Sequence, residues 1–201
     1  MFWSFITLQD IFFGVITSVE TYNLENPFLV AVIFIILAAL SAMLSPFSSV
    51  PLVPAAIILW GNTLTVFLFL LGWLIGGSLT YLIGHFAGHH LINQLYSFEK
   101  IKHYQEKLSK KTKFLLILLF RFAMPAEIPG YVLGIVHYNF SQYFLATFLA
   151  EAPFALITVY ASEALIFGNP LFFSAWLILA FTIITLTFYL FHKKLNKKIE
   201  V

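Results

Sequence analysis

The sequence has no cysteine. That excludes a secreted scaffold held together by disulfides. Charge is scarce too. Asp, Glu, Lys and Arg make up 10% of the 201 residues, where a soluble domain carries about 25%. The net charge of +2 is too small to mark a nucleic-acid binder. No G-x-S-x-G elbow, P-loop or H-E-x-x-H occurs. The first 23 residues contain no Lys or Arg with which a signal peptide would open. What is abundant is apolar: 61% of residues are hydrophobic, 24 are Phe, and the mean hydropathy is +0.93. A soluble fold of this size cannot hide so much apolar surface. These values exclude a disordered chain and an ordinary soluble enzyme. An all-α polytopic membrane protein remains.

Charge placement divides the chain. Between Glu25 and Glu99 the only titratable side chains of ordinary pH are His85, His89 and His90. From residue 114 to Tyr189 only Arg121, Glu127, Glu151 and Glu163 carry charge. The lysines fall into two clusters, Lys100 to Lys113 and Lys193 to Lys198. The positive-inside rule predicts that both are cytoplasmic. The apolar segments between them are 114–140, 141–167 and 171–191. Three crossings would put the clusters on opposite sides, so one segment must turn back. Segment 114–140 contains Pro125, Pro129, Gly130 and Gly134. Proline breaks the backbone ladder and glycine permits a sharp bend. We expect a re-entrant hairpin there, entering from the cytoplasm.

The first half carries a similar break. Residues 28–60 would make a straight helix about 50 Å long, against a ~30 Å hydrocarbon core. Its middle, residues 45–54, holds Ser45, Pro46, Ser48, Ser49, Pro51 and Pro54. This predicts a second re-entrant hairpin, a turn at Gly61-Asn62, and a crossing over 63–88. That crossing must end inside, at the first lysine cluster, so the first hairpin enters from outside. Two opposed hairpins plus about three full crossings form an inverted-repeat-like plan. Polar and apolar residues separate by face over residues 1–25, which reads as an N-terminal interfacial amphipathic helix, with a weak extra span as the alternative. Residues 90–113 read as a cytoplasmic segment and 193–201 as a basic cytoplasmic tail.

Several patterns carry possible chemistry. Gly72, Gly76, Thr80, Gly84 and Gly88 recur every four residues, a small-residue stripe that lets another helix approach closely. Arg121 and Glu127 are six residues apart, and a charge at membrane depth must be paired or hydrated. We expect them to neutralise each other across the break at Pro125. Snorkelling of Arg121 to the headgroups is the alternative. Glu151 lies within a crossing and is a candidate proton-exchanging group; Glu163 is expected at the outer interface. His85 and His89 share a helix face at a spacing that can chelate a metal. That leaves a histidine-ligated membrane enzyme as an alternative, although a polar helix cap explains the same residues and no second histidine box occurs.

The run Arg121-Phe122, Pro125, Pro129, Tyr131 and Gly134, followed by Phe140 and Phe144, resembles the DedA/VTT-domain membrane family, also called SNARE-associated Golgi proteins. The stripe Gly72, Gly76, Tyr81, Gly84 and Gly88 and the proline-rich segment 45–54 resemble it too. The likeness covers roughly residues 40–155. It implies two opposed re-entrant hairpins and a lipid-handling role. Relatives return lipid carriers such as undecaprenyl phosphate, move phospholipids or act as scramblases, and some use the proton gradient. The chain departs from the DedA core: the first hairpin lacks an acid, Gly77 replaces an Asp, His85 replaces an Arg, and Glu127 stands near where a second Arg belongs. It fits the broader VTT group better.

The expected function is a flippase- or scramblase-like lipid transporter in a bacterial or archaeal inner membrane, with no enzymatic activity, metal or cofactor. Its expected partners are anionic phospholipid or polyprenyl phosphate, with protons and a second copy of the chain as further candidates. The two hairpin tips, with Ser45, Ser48, Ser49, Pro46 and Pro51 on one and Arg121, Pro125, Glu127, Pro129, Tyr131 and Gly134 on the other, would line the path together with Glu151. A non-transporting assembly factor would need the same packed bundle and stays an alternative.

Overall fold

The computed structural model describes residues 24–44, 48–95, 114–124 and 127–199, without the side chains of 88–95 and 191–199. Residues 1–23 of the expected amphipathic helix, most of the lysine-rich segment 90–113, and Ser45, Pro46 and Pro125 lie outside the described residues. Among the described residues every regular element is helical. They are α1 (Pro27–Met43), a short 3-10 turn (Val50–Leu52), α2 (Val53–Leu95), α3 (Phe114–Ala123), α4 (Glu127–Ile135), α5 (Phe140–Ile166) and α6 (Pro170–Ile199).

Three stretches are long and apolar enough to cross a membrane: Val50–Ala87, Phe140–Ile166 and Pro170–Leu190. The last two match the expected crossings to within a residue. The shorter apolar helices are α1, with 17 residues, and α3, with 10. At 1.5 Å per residue their described lengths are about 26 and 15 Å, against a ~30 Å core. Each ends where the sequence places its proline-rich break. Pro153, by contrast, does not interrupt α5.

The turn expected at Gly61-Asn62 is a kink of a single residue within α2. Gly61 has φ 71° and ψ 174°, a region open in practice only to glycine. The Thr65 hydroxyl donates to the Gly61 carbonyl at 2.8 Å, adding a side-chain bond at the kink. No atom crowds the place a Cβ would take at Gly61. Gly61→Ala therefore strains the backbone alone. A loss of about 1–3 kcal/mol is expected, read as a lower thermal midpoint in detergent.

Two clusters form the core, and α2 and α5 run through both. In the first, Phe34 and Ala38 of α1 pack on Val53, Ala56 and Phe69 of α2 and on Ala155 and Val159 of α5. In the second, Tyr81 of α2, Ile117 of α3, Leu133 of α4, and Tyr143 and Ala146 of α5 meet around Tyr138. The Tyr81 hydroxyl donates to the Tyr138 carbonyl. Asn139 caps α5, its side-chain oxygen accepting from the Gln142 amide at 3.0 Å.

The small-residue stripe joins these clusters, and it serves two partners. A Cβ at Gly72 would lie 2.9 Å from the Ile35 carbonyl oxygen, and one at Gly76 would meet the Ala39 carbonyl, so the first half of the stripe seats α1. Thr80 faces Gly130, and Gly84 lies against the Tyr131 backbone, so the second half seats α4. Gly134 returns the contact from α4 by lying on the Tyr81 carbonyl. Gly88 stands one turn beyond the described contacts. The α6 helix packs along α5 with most of its large apolar side chains exposed, as suits a lipid-facing helix.

Candidate functional site

Between the two core clusters lies a cavity of about 450 Å³. Its polar wall comes from four elements. Ser41 stands on α1, Ser48 and Ser49 precede the 3-10 turn, Arg121 stands on α3, and Glu151 and Thr158 stand on α5. Its apolar wall includes Trp73 of α2, Phe122 of α3, Phe154 of α5 and Ile184 of α6.

Arg121 is the centre of this arrangement. Its side chain is 1% exposed, and its Nη2 donates to Glu151 Oε1 at 3.1 Å. Two charges taken out of water cost several kcal/mol each unless they meet. That cost is the reason the pair forms. It also corrects two sequence expectations. Arg121 neutralises Glu151, thirty residues away, rather than Glu127, and its buried side chain does not snorkel. The break after Ala123 turns α4 away from α3, and Glu127, at the start of α4, is partly exposed and outside the cavity.

Tyr143 holds the pair from below. The Arg121 guanidinium lies 5.4 Å from its ring centroid, within cation–π range. The Tyr143 hydroxyl donates to the Gly77 carbonyl at 2.6 Å. A side chain at Gly77 would come within 3.3 Å of Arg121 Nη2. Tyr143→Phe keeps the ring under Arg121 and removes only the bond to Gly77. A stability loss of about 1 kcal/mol is expected from chemical or thermal unfolding, with the ion pair retained.

On the facing wall, the hydroxyls of Ser41 and Ser49 share a hydrogen bond of 2.6 Å. Ser49 is buried and Ser48 exposed. Ser48 and Ser49 thus line the same cavity as Arg121, and Ser41 joins them. Pro51, also expected there, is exposed and outside the cavity wall. Pro129, Tyr131 and Gly134 do not reach the cavity either; Pro129 is buried, and Tyr131 and Gly134 pack α4 onto α2. The Tyr131 hydroxyl approaches the Met43 carbonyl at 3.5 Å, tying α4 to the end of α1. Away from the cavity, the ring of His85 contacts His137 with centroids 4.1 Å apart and stacks on Tyr81. The side chains of His89 and His90 are outside the description.

Sequence reasoning missed Ser41, Trp73, Tyr143, Phe154 and Thr158. Part of the signal was available. Tyr143, Thr147, Glu151, Phe154 and Thr158 follow at three- and four-residue steps, so Glu151 marks a face of α5 that carries all of them.

The arrangement can hold an anion chemically. An arginine fork suits a phosphate, hydroxyls stand across from it, and a carboxylate competes for the same cation. A family model described as the VTT domain matches residues 45–164, a stretch that contains both breaks, the glycine stripe, Arg121 and Glu151. Among curated proteins and among solved structures nothing matches. The matched region is more than half of the sequence and contains one of the three membrane-crossing stretches and most of a second, so the chain is an integral membrane protein that belongs to the VTT-domain family.

Proposed function

We propose that the protein carries an anionic lipid headgroup, of a phospholipid or a polyprenyl phosphate, between the leaflets through the Arg121 cavity. The observation that carries this reading is a buried arginine in a cavity lined by hydroxyls at one side and by Trp73, Phe122 and Phe154 at the other. The family's association with lipid handling agrees with it.

The reading includes a topology. Over the described residues neither α1 nor α3 is long enough to cross. We take α1 with residues 53–60, and α3 with α4, as two re-entrant hairpins entering from opposite faces in an inverted-repeat plan. Broken backbone at membrane depth survives where protein buries it or a cavity meets it, and residues 48–49 and 123–124 line this cavity. The lysine clusters put the C-terminus in the cytoplasm, and the membrane is a prokaryotic inner membrane.

The mechanism uses the ion pair as a gate. At rest Glu151 occupies Arg121. A headgroup phosphate entering the cavity competes with that carboxylate for the guanidinium. Protonation of Glu151 releases Arg121 to the phosphate, and loss of the proton returns Arg121 to Glu151 and expels the headgroup. A proton gradient then drives net movement. The acyl chains stay in the bilayer, and no bond is made or broken, so the protein acts as a carrier rather than as an enzyme. The test is headgroup accessibility of fluorescent phospholipid in proteoliposomes, wild type against Arg121 variants. Phospholipid transfer that needs Arg121 supports the reading, and transfer at the wild-type rate without Arg121 ends it. If wild-type protein of intact fold moves no phospholipid, a polyprenyl phosphate takes its place in the same assay.

A further inference from the structure

The Arg121 cavity leaves the far end of α5 unexplained. There a second cavity of about 300 Å³ lies between α5 and α6. Tyr160, Glu163 and Phe167 follow at three- and four-residue steps and so share one side of α5. Phe172 and Trp176 do the same on α6. The rings of Tyr160 and Trp176 lie near parallel, with centroids 5.7 Å apart. Phe167 and Phe172 are exposed at the rim.

A membrane-interface belt accounts for Trp and Tyr at this level but not for a carboxylate among them. Glu163 is partly buried, and its side chain has no ion-pair partner among the described residues. A partly buried carboxylate at the end of an apolar helix, set among aromatic rings, attracts a cation. The chain has no Lys or Arg between Arg121 and Lys193, and none before Lys100. Lys193 and its neighbours stand at the opposite end of α6. Phe114, the first residue of α3, packs on the Tyr138 cluster at the other end of α5, and residues 100–113 lie outside the described residues. Among the described residues no lysine or arginine is paired with Glu163, which leaves the corner open to a cation from outside the protein. Aromatic faces attract ammonium groups, and most strongly those desolvated by carbon substituents.

We propose that this corner binds an organic ammonium group, presented by the choline or ethanolamine headgroup of a zwitterionic phospholipid in the leaflet opposite the lysine clusters. Glu163 pairs with the charge, and the aromatic side chains that line the cavity contact the carbon atoms around it. The site is separate from the Arg121 cavity and stands whether or not the transport reading holds.

The test is lipid retention by the full chain in detergent, measured by native mass spectrometry. Phosphatidylcholine and phosphatidylglycerol with identical acyl chains are titrated separately. Glu163→Gln and Trp176→Leu are each expected to weaken phosphatidylcholine retention about fivefold, with phosphatidylglycerol retention unchanged. Unchanged phosphatidylglycerol binding reports an intact fold. Tetramethylammonium chloride distinguishes the sources. If it displaces phosphatidylcholine from the wild type, the corner takes a free ammonium ion as well; if it does not, the headgroup is held together with its chains. Equal retention of phosphatidylcholine by wild type and Glu163→Gln overturns the proposal. So does a parallel loss of both lipids, which would make these residues structural.

Discussion

Arg121→Ala is expected to reduce headgroup transfer to the background of protein-free liposomes, a loss of at least tenfold. The guanidinium is the one cation of the described cavity wall, and no other side chain there replaces its two-pronged donation to a phosphate. The variant also strands Glu151. A buried charge left without its partner costs about 3–5 kcal/mol, enough to unfold a marginal protein and to imitate a loss of function. Arg121→Ala combined with Glu151→Ala separates the two effects. With both charges gone the desolvation cost is gone too, and stability is expected to return to near the wild-type value. Transport is not expected to return. Arg121→Lys keeps the charge but not the fork, and an intermediate rate is expected. A doubly substituted protein that folds and transfers lipid at the wild-type rate would show that the pair serves the fold and that the path lies elsewhere.

The second large effect is structural. Gly134→Val is expected to abolish the monodisperse folded protein, with a cost above about 3 kcal/mol. A Cβ at Gly134 would overlap the Tyr81 carbonyl and lie 2.9 Å from the His85 amide nitrogen. Both obstacles are backbone of a long helix and cannot rotate aside. Gly84→Val should fail in the same way, because its obstacle is the backbone of Tyr131. Gly77→Ala is the contrast. Its nearest neighbours are the side chains of Arg121, Thr147 and Tyr143 at 3.3–3.4 Å, which can shift by tenths of an ångström. The fold is expected to survive there, with the ion pair displaced. Size-exclusion profiles and thermal midpoints of the three variants decide the matter. If Gly134→Val elutes and melts like wild type, the close crossing of α4 on α2 is wrong.

These two crossings explain why one stripe could be read in the sequence while its partners could not. Spacing by four puts Gly72, Gly76, Thr80, Gly84 and Gly88 on a single face, and that is a property of one helix. It says that something approaches closely. It does not say that α1 takes one half and α4 the other. The kink at Gly61 was legible for the same local reason, since a glycine followed by asparagine after a proline-rich run marks a change of direction.

The sequence by itself determined the membrane class, the positions of the two long C-terminal helices, the proline breaks and the close-packing face of α2. Each depends on composition or on periodicity within one segment, which a reader of the chain sees directly. Only the tertiary structure decided which carboxylate meets Arg121. Glu127 is near in sequence, but the break sends α4 toward α2. Glu151 is remote, but its face of α5 packs against α3, and the desolvation of Arg121 demands a charge at that spot. The serines reached the cavity for the same reason, through the return of the chain from α1 into α2. Contacts between helices are fixed by all of them packing at once, and no single segment carries that information.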